Sequence, residues 1–174
     1  DHWAYEAVQR LIEKGALLFP SNGDLQLDKP ISRAGFLEIL GRSSFGADYK
    51  WTGDLNQFTD IDSTHPFAKA VGFFSSKGII RGYGPENGPW EFRPGQSLTR
   101  AEAVKILLLT KGLEPAEIVE GENPVFADTD DWSRVWAETA FAKRLAKGYD
   151  EDGVRLFKPH APLTRAEAFV LMGR

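Results

Sequence analysis

The sequence predicts an all-α fold, in which three helix–loop–helix units form a pseudo-threefold bundle around one core. The first observation is a repeat: Leu-Thr-Arg-Ala-Glu-Ala at residues 98–103 recurs at residues 163–168. A weaker copy, Ile-Ser-Arg-Ala-Gly-Phe, stands at residues 31–36. The second observation is that a two-helix unit of this size cannot bury its own apolar face. We therefore expect the three copies to share one core.

The first helix of each copy is expected to end at a glycine, which readily takes the left-handed conformation at a helix C-terminus. The three Lys-Gly pairs that suggest these ends are Lys14-Gly15, Lys77-Gly78 and Lys147-Gly148. Counting back twelve residues from the glycines aligns Trp3 with Trp136. In this alignment the third copy passes from Gly148 directly to Tyr149.

The second helix of each copy begins at a capping residue. Thr99 is followed three residues later by Glu102, and the third copy repeats this pair. That spacing is typical of a capping box, in which each side chain accepts a hydrogen bond from an otherwise unpaired backbone N–H. Ser32 is followed instead by Gly35, so the second helix of the first copy is expected to begin less firmly.

The predicted units are residues 1–42, 58–111 and 126–174, together forming one pseudo-trimeric domain. The first unit is divergent, and we expect the chain to begin inside it, as an excised or processed segment. The segments between the helices of a unit are rich in glycine and proline, above all at residues 82–89, which excludes helix there.

The composition excludes several classes of function. A net charge of −4 argues against nucleic-acid binding, and no apolar run approaches the length of a membrane span. The chain has no cysteine. Its three histidines lack metal-ligand spacing, and its acidic clusters at residues 128–131 and 150–153 do not match a calcium loop. We expect no catalytic residues, no metal and no cofactor.

Three arginines are the main candidates for a binding site: Arg33, Arg100 and Arg165. Each stands in the first turn of a helix, where the helix dipole disfavours a cation. One hypothesis is an anionic ligand held by the guanidinium and by the free backbone N–H groups of the helix start. The other is a structural pair with a carboxylate of a neighbouring copy, such as Asp60 or Asp128. The first hypothesis predicts that Arg100→Ala weakens binding and leaves stability nearly intact.

Aromatic residues are the second group of candidates. Tyr83 and Tyr149 directly follow glycines at the start of a loop, so they are well placed to face a groove. Flat aromatic faces with a polar edge suit sugar rings as well as protein interfaces. For Trp3 and Trp136, packing between helices is favoured over ligand contact. Two tryptophans in loop-like segments could serve as the tyrosines do: Trp90 and Trp132.

The order of the motifs resembles the S-layer homology (SLH) domain. The pattern is Phe-x-Asp, Trp-Ala, Lys-Gly-Ile-Ile-x-Gly-Tyr, Phe-Arg-Pro and Leu-Thr-Arg-Ala-Glu. The second copy carries it at Phe58, Asp60 and residues 77–83, 92–94 and 98–102. The third carries most of it, at Phe126, Asp128, Trp136, Phe157 and residues 163–167, and the first keeps residues 3–4, 14–15 and 32–34.

The resemblance implies three tandem motifs that anchor a protein noncovalently to the bacterial cell wall. Family members hold a secondary cell-wall polysaccharide, often pyruvylated, in grooves between motifs. The arginines would meet the ligand's carboxylate. The other groove residues would be Asp60, Asp128, Trp3, Trp136, Tyr83 and Tyr149.

An extracellular location at the cell surface follows from the same resemblance, for a domain that is itself monomeric. Other surface-layer proteins are further candidate partners. The alternative to polysaccharide binding is a protein–protein module for surface-layer or envelope assembly.

Overall fold

The computed structural model describes residues 2–119 and 121–174, and over these residues the chain forms six α-helices and two short β-strands. In chain order they are α1 (Tyr5–Glu13), α2 (Arg33–Phe45), α3 (Ala68–Ser76), α4 (Arg100–Thr110), α5 (Asp131–Ala142), β1 (Tyr149–Glu151), β2 (Val154–Leu156) and α6 (Arg165–Met172). Asp1, in the predicted unit 1–42, and Glu120, between the second and third units, lie outside the described residues. The mainly helical prediction is confirmed. The antiparallel hairpin β1–β2 departs from the all-α expectation.

The three second helices, α2, α4 and α6, contact one another at the centre of the molecule. Just before their N-caps, three backbone hydrogen bonds form a closed ring. Ile31 N–H donates to the Leu163 carbonyl (2.9 Å), Leu163 N–H to the Leu98 carbonyl (2.9 Å), and Leu98 N–H to the Ile31 carbonyl (3.0 Å). Because all three residues are buried, the ring holds the starts of the three helices together.

Each first helix packs against the second helix of another unit: α3 on α2, α5 on α4, and α1 on α6. The α1–α6 contact joins the beginning of the described chain to its end. The core between these layers contains six fully buried phenylalanines, namely Phe36, Phe74, Phe92, Phe126, Phe157 and Phe169. The motif residues Phe126 and Phe157 pack edge to face, with ring centroids 5.1 Å apart.

The helix starts follow the capping pattern of the sequence. Thr99 and Thr164 each form a complete capping box with the glutamate three residues later. Ser32 accepts a hydrogen bond from Gly35 N–H, and glycine has no side chain to return one. The prediction of a weaker start for α2 therefore holds at the level of its cap.

The predicted end of the first helix in the third copy is wrong. Helix α5 ends at Ala142, and Arg144, with φ of 59°, takes the left-handed position that Gly15 and Gly78 occupy after α1 and α3. The turn is the same in kind, because the residue after Arg144 donates its N–H to the carbonyl of Ala140, as the residue after Gly78 does to that of Phe74. An arginine can replace the glycine at a modest conformational cost.

This shift changes the alignment of the copies. Gly148 corresponds to Gly82, because a Cβ atom at either position would meet the motif phenylalanine and a carbonyl of the following strand segment. The third copy therefore keeps the segment that the sequence alignment judged missing, as residues 145–148. Counted from Arg144, the residue equivalent to Trp3 is Trp132 and not Trp136.

Within the described ranges, no helix is long and apolar enough to cross a membrane. The same residues contain no group of three or more His, Cys, Asp or Glu side chains that could hold a metal ion.

Candidate ligand-binding grooves

The first groove lies between the first and second units, and we define it by Arg33, Tyr83, Glu102 and Trp132. Arg33 Nη1 donates to the Tyr83 hydroxyl (2.9 Å) and to Glu102 Oε1 (3.1 Å). The Tyr83 hydroxyl donates to the same carboxylate. Arg33 Nε donates to the Phe92 carbonyl at 3.0 Å. The arginine of one unit is thus buried between a tyrosine and a glutamate of the next.

The second groove repeats this arrangement one unit further on, and we define it by Arg100, Tyr149, Glu167 and Trp3. Arg100 Nη1 lies 3.2 Å from the Tyr149 hydroxyl and 3.5 Å from Glu167 Oε1. Tyr149 donates to Glu167. Arg100 Nε is the one buried side-chain polar atom without a hydrogen-bond partner among the described residues. The second arginine is therefore held less completely than the first.

An exposed tryptophan forms one wall of each groove. Trp132, in the first turn of α5, is 43% exposed, and Trp3, just before α1, is 64% exposed. Each comes from a unit that supplies neither the arginine nor the tyrosine of its groove. The cavities measure about 200 Å³ in the first groove and 190 Å³ in the second. Each groove thus requires all three units to be assembled.

The third interface, between the third unit and the first, lacks most of these groups. Arg165 Nε donates to the Leu25 carbonyl at 2.7 Å, and its guanidinium lies 5.4 Å from the Phe169 ring centre. Burial lowers the pKa of Arg165. Gly35 stands where the other units have their glutamate, and Pro66 stands where the other grooves have their tryptophan. This interface is therefore not a third copy of the groove.

The helix starts are not open to an anion. Arg33 and Arg100 donate their backbone N–H groups to the carbonyls of Gln96 (2.9 Å) and Ala161 (3.0 Å), in the loop of the next unit. The following alanine N–H groups, at positions 34 and 101, bond to Pro94 and Pro159 in the same way, and the third N–H of each helix bonds to its cap. The hypothesis of a ligand on these N–H groups is wrong, because neighbouring units already occupy them.

The hypothesis that the arginines pair with carboxylates of a neighbouring copy holds for Arg33 and Arg100. The carboxylates belong to glutamates, however, and not to Asp60 or Asp128. Asp60 accepts hydrogen bonds from the backbone N–H groups of Phe92 and Arg93, both at 2.7 Å. Asp128 does the same for Phe157 and Lys158, at 2.7 and 2.8 Å. Both aspartates shape the loop behind a groove and do not line the two grooves, while Arg33 and Arg100 pair with glutamates.

The other predicted site residues divide in the same way. Tyr83 and Tyr149 face the grooves as the sequence predicts. Trp3 also lies in a groove, and its 64% exposure contradicts the expectation that it packs between helices. Trp136 is only 8% exposed and packs in the core, which leaves little of its ring for a ligand. Trp90 lies outside both grooves, paired in a bridge with Phe58.

Two groove residues are missing from the sequence predictions: Glu102 and Glu167. Trp132 is among the predicted candidates, but as part of a loop and not in the first turn of a helix. The capping pattern accounts for only one carboxylate oxygen of each glutamate. The other oxygen faces the arginine. Trp132 was placed in a loop because the end of α5 was misassigned. Aligning the third copy on Arg144 would have paired it with Trp3.

The two grooves differ in charge. The first is also lined by Arg81 and Lys105, and neither takes part in an ion pair among the described residues. Burial lowers the pKa of Lys105, and the nearby Arg81 charge lowers it further. In the second groove Val170 stands in place of Lys105. Over the described ranges, the second groove has one cation outside the ion pairs, Arg174, against two in the first. The first groove therefore carries more uncompensated positive charge.

The tyrosine–glutamate contacts shift the pKa values of these groups. Burial, followed by the hydrogen bond to the glutamate, raises the pKa values of Tyr83 and Tyr149 to about 12. Burial alone would raise the pKa of Glu167. Hydrogen bonds from Tyr149 and Thr164 and the charge of Arg100 outweigh burial and leave that pKa below its ordinary value of 4.5.

We expect the Glu167 carboxylate to make the folded state acid-sensitive. A carboxyl group whose pKa is lowered by folding stabilises the fold above its unfolded pKa, and that stabilisation is lost as the pH falls through the folded value. The free energy of unfolding of wild type, measured by denaturant titration, should therefore decrease below about pH 4.5. In Glu167→Gln this dependence should be shallower. Equal slopes in the two proteins would contradict the assignment.

The sequence of this chain is similar to the sequences of known cell-surface proteins. The sequence model of the S-layer homology domain family matches residues 57–104 and 126–169. The chain is 32% identical over 175 aligned positions to the "Surface-layer 125 kDa protein" of Lysinibacillus sphaericus, covering 99% of this chain. It is 34% identical over 114 positions to the "Cellulosome-anchoring protein" of Acetivibrio thermocellus, covering 62% of this chain.

A third relative is "Cell surface glycoprotein 1" of Acetivibrio thermocellus, 31% identical over 169 positions and matched along 88% of this chain. The chain spans only a small part of these relatives: 14% of the surface-layer protein, 23% of the anchoring protein and 7% of the glycoprotein.

Proposed function

This chain belongs to the S-layer homology domain family, and we propose that it is a noncovalent anchor that binds cell-wall polysaccharide at the bacterial cell surface. The observation that carries the proposal is the pair of matched grooves. Each combines a buried arginine–tyrosine–glutamate cluster with an exposed tryptophan from another unit. Recurrence of the same four residue types at two interfaces supports a ligand with repeated chemistry.

The walls of the grooves suit a sugar polymer. Trp3 and Trp132 offer flat apolar faces, and the tyrosine hydroxyls and glutamate carboxylates supply polar groups beside them. The buried arginine positions these groups, since its own charge is already matched by a glutamate. The extra charges of Arg81 and Lys105 make the first groove the better site for an acidic substituent such as a pyruvyl group.

We further propose that the chain comprises three motifs in a pseudo-threefold bundle, as residues 1–42, 58–111 and 126–174. The ring of hydrogen bonds around Ile31, Leu98 and Leu163 and the cyclic order of helix contacts support this organisation. The first motif is divergent. Its weaker cap and the absence of a glutamate beside Arg165 leave two of the three interfaces equipped for the ligand.

We expect Trp132→Ala and Trp3→Ala each to raise the dissociation constant for wall sacculi about tenfold, because each removes an exposed stacking face. Neither side chain packs against the buried core, so thermal stability should stay near that of wild type. Binding is measured by co-sedimentation with sacculi. Tyr5→Ala is the matched control, since Tyr5 is 59% exposed near Trp3 and lines neither groove.

The nature of the partner is tested by treating the sacculi. Removal of the polysaccharide with hydrofluoric acid should abolish binding of wild type, and removal of its acidic substituent should weaken it. If the partner is instead a protein of surface-layer or envelope assembly, the chain should still bind sacculi stripped of polysaccharide. That result would replace the anchor proposal with the protein–protein alternative.

A further inference from the structure

A second concave surface adjoins the first groove, and we define it as the side cleft. It measures about 560 Å³ and is lined by Gln57, Ser75, Arg81, Glu86, Asn87 and Trp90, among others. The C-terminal end of α3 and the loop before Trp90 form its two sides. Its lining is polar apart from Ile80 and the indole of Trp90, which is partly exposed. Polar groups around one aromatic face are the same kind of lining as in the grooves.

The side cleft is adjacent to the first groove, because Ile80 and Arg81 line both. The Arg81 guanidinium carbon lies 5.6 Å from the centre of the Trp90 ring, so this cation stands where the two cavities meet. Small-ligand sites usually measure about 300–1,000 Å³. The first groove, at about 200 Å³, is below that range, whereas the side cleft, at about 560 Å³, falls within it.

Beside the second groove, the residues at the corresponding positions differ. Arg155 occupies the position of Trp90, since the carbonyls of both accept a hydrogen bond from the residue after the motif phenylalanine. Its guanidinium lies 4.8 Å from the Phe141 ring centre. Phe141 in turn stands where α3 has Ser75. The corresponding loop is also shorter, because the third unit closes it with the β1–β2 hairpin.

We propose that the side cleft binds the sugar residues adjacent to those in the first groove, on the same polysaccharide chain. The inference rests on the proposed function and adds a specificity to it: the first groove takes a longer stretch of polymer than the second. Trp90 supplies the stacking face and Arg81 spans the junction. Glu86 and Asn87 supply polar contacts at the far side.

The test compares ligand length. Wall polysaccharide released from Lysinibacillus sphaericus sacculi is separated into single repeat units and fragments of several repeats, and binding is measured by titration calorimetry. The protein carries Trp3→Ala, so that a long fragment gains nothing by bridging both grooves. We expect the longer fragments to bind about tenfold more tightly than single units.

Variants at Trp90 then test whether this side chain causes the increase in affinity with fragment length. Trp90→Leu keeps an apolar side chain against the core but lacks a flat ring, and it should lose the gain with length while binding single units unchanged. Trp90→Phe should keep part of the gain, and Arg155→Ala should keep all of it. Thermal unfolding verifies that each variant is folded.

Two results would overturn the inference. In the first, Trp90→Leu retains the full gain with length. In the second, single units and longer fragments bind equally to the Trp3→Ala protein. Binding of neither fragment to wild type would instead refute the proposed function itself, and the two failures are therefore distinguishable.

Discussion

Glu102→Gln is expected to lower the free energy of unfolding by about 3 kcal/mol, because it leaves the Arg33 charge buried without its carboxylate. The Arg33 and Glu102 side chains are only 7% and 20% exposed, and the glutamate also serves the cap of α4. For a chain of this length such a loss corresponds to a fall in Tm of roughly 6–12 °C. Chemical denaturation at neutral pH measures the change directly.

The matched control is Glu91→Gln. Glu91 pairs with Arg93 at 2.9 Å, but both side chains are about half exposed, and surface pairs contribute about 1 kcal/mol or less. Glu167→Gln should fall between the two, since its contact to Arg100 is longer, at 3.5 Å. Equal losses for Glu102→Gln and Glu91→Gln would show that the buried cluster does not hold the units together.

Burial of Arg100 also changes the result expected for an arginine variant. Arg100 is buried against Tyr149 and Glu167, so Arg100→Ala should reduce stability as well as binding. Loss of sacculus binding in that variant would therefore not identify a ligand contact. The exposed tryptophans are the better probes, because their removal changes the groove and leaves the core intact.

Gly148→Ala is expected to cost about 3–4 kcal/mol, which combines an unfavourable backbone conformation with a steric conflict. The φ angle is 76°, and the new Cβ atom would lie 2.5 Å from the Leu156 carbonyl oxygen and also against the Phe126 ring. The carbonyl belongs to the paired strand β2 and cannot move without opening the hairpin. The free energy of unfolding from denaturant titration measures the loss.

Gly153→Ala separates the two contributions. Gly153 has a similar φ of 81°, but no atom lies within 4 Å of the added Cβ. Its cost should therefore be about 1 kcal/mol. Gly82→Ala should resemble Gly148→Ala, since its Cβ would lie 2.7 Å from the Glu91 carbonyl oxygen. If Gly148 and Gly153 proved equally tolerant, the equivalence of Gly82 and Gly148 would lose its physical basis.

Features encoded within a few residues could be predicted from the sequence. The capping boxes at Thr99 and Thr164 and the incomplete box at Ser32 depend on a spacing of three residues, and the family pattern is an order of short motifs along the chain. Helix ends were harder to predict, because the end of α5 uses Arg144 in a conformation that sequence patterns assign to glycine. That single residue displaced the alignment of Trp132 and Gly148.

The sequence by itself therefore determined the repeated helix-start motifs, the caps of the helices that follow them and the family. Only the tertiary structure decided what each candidate residue does. Arg33 meets a glutamate 69 residues away, and the first N–H groups of its helix are taken by a neighbouring loop. The reason is physical: a cap forms within one turn, whereas the partner of a buried charge depends on how the units close against one another.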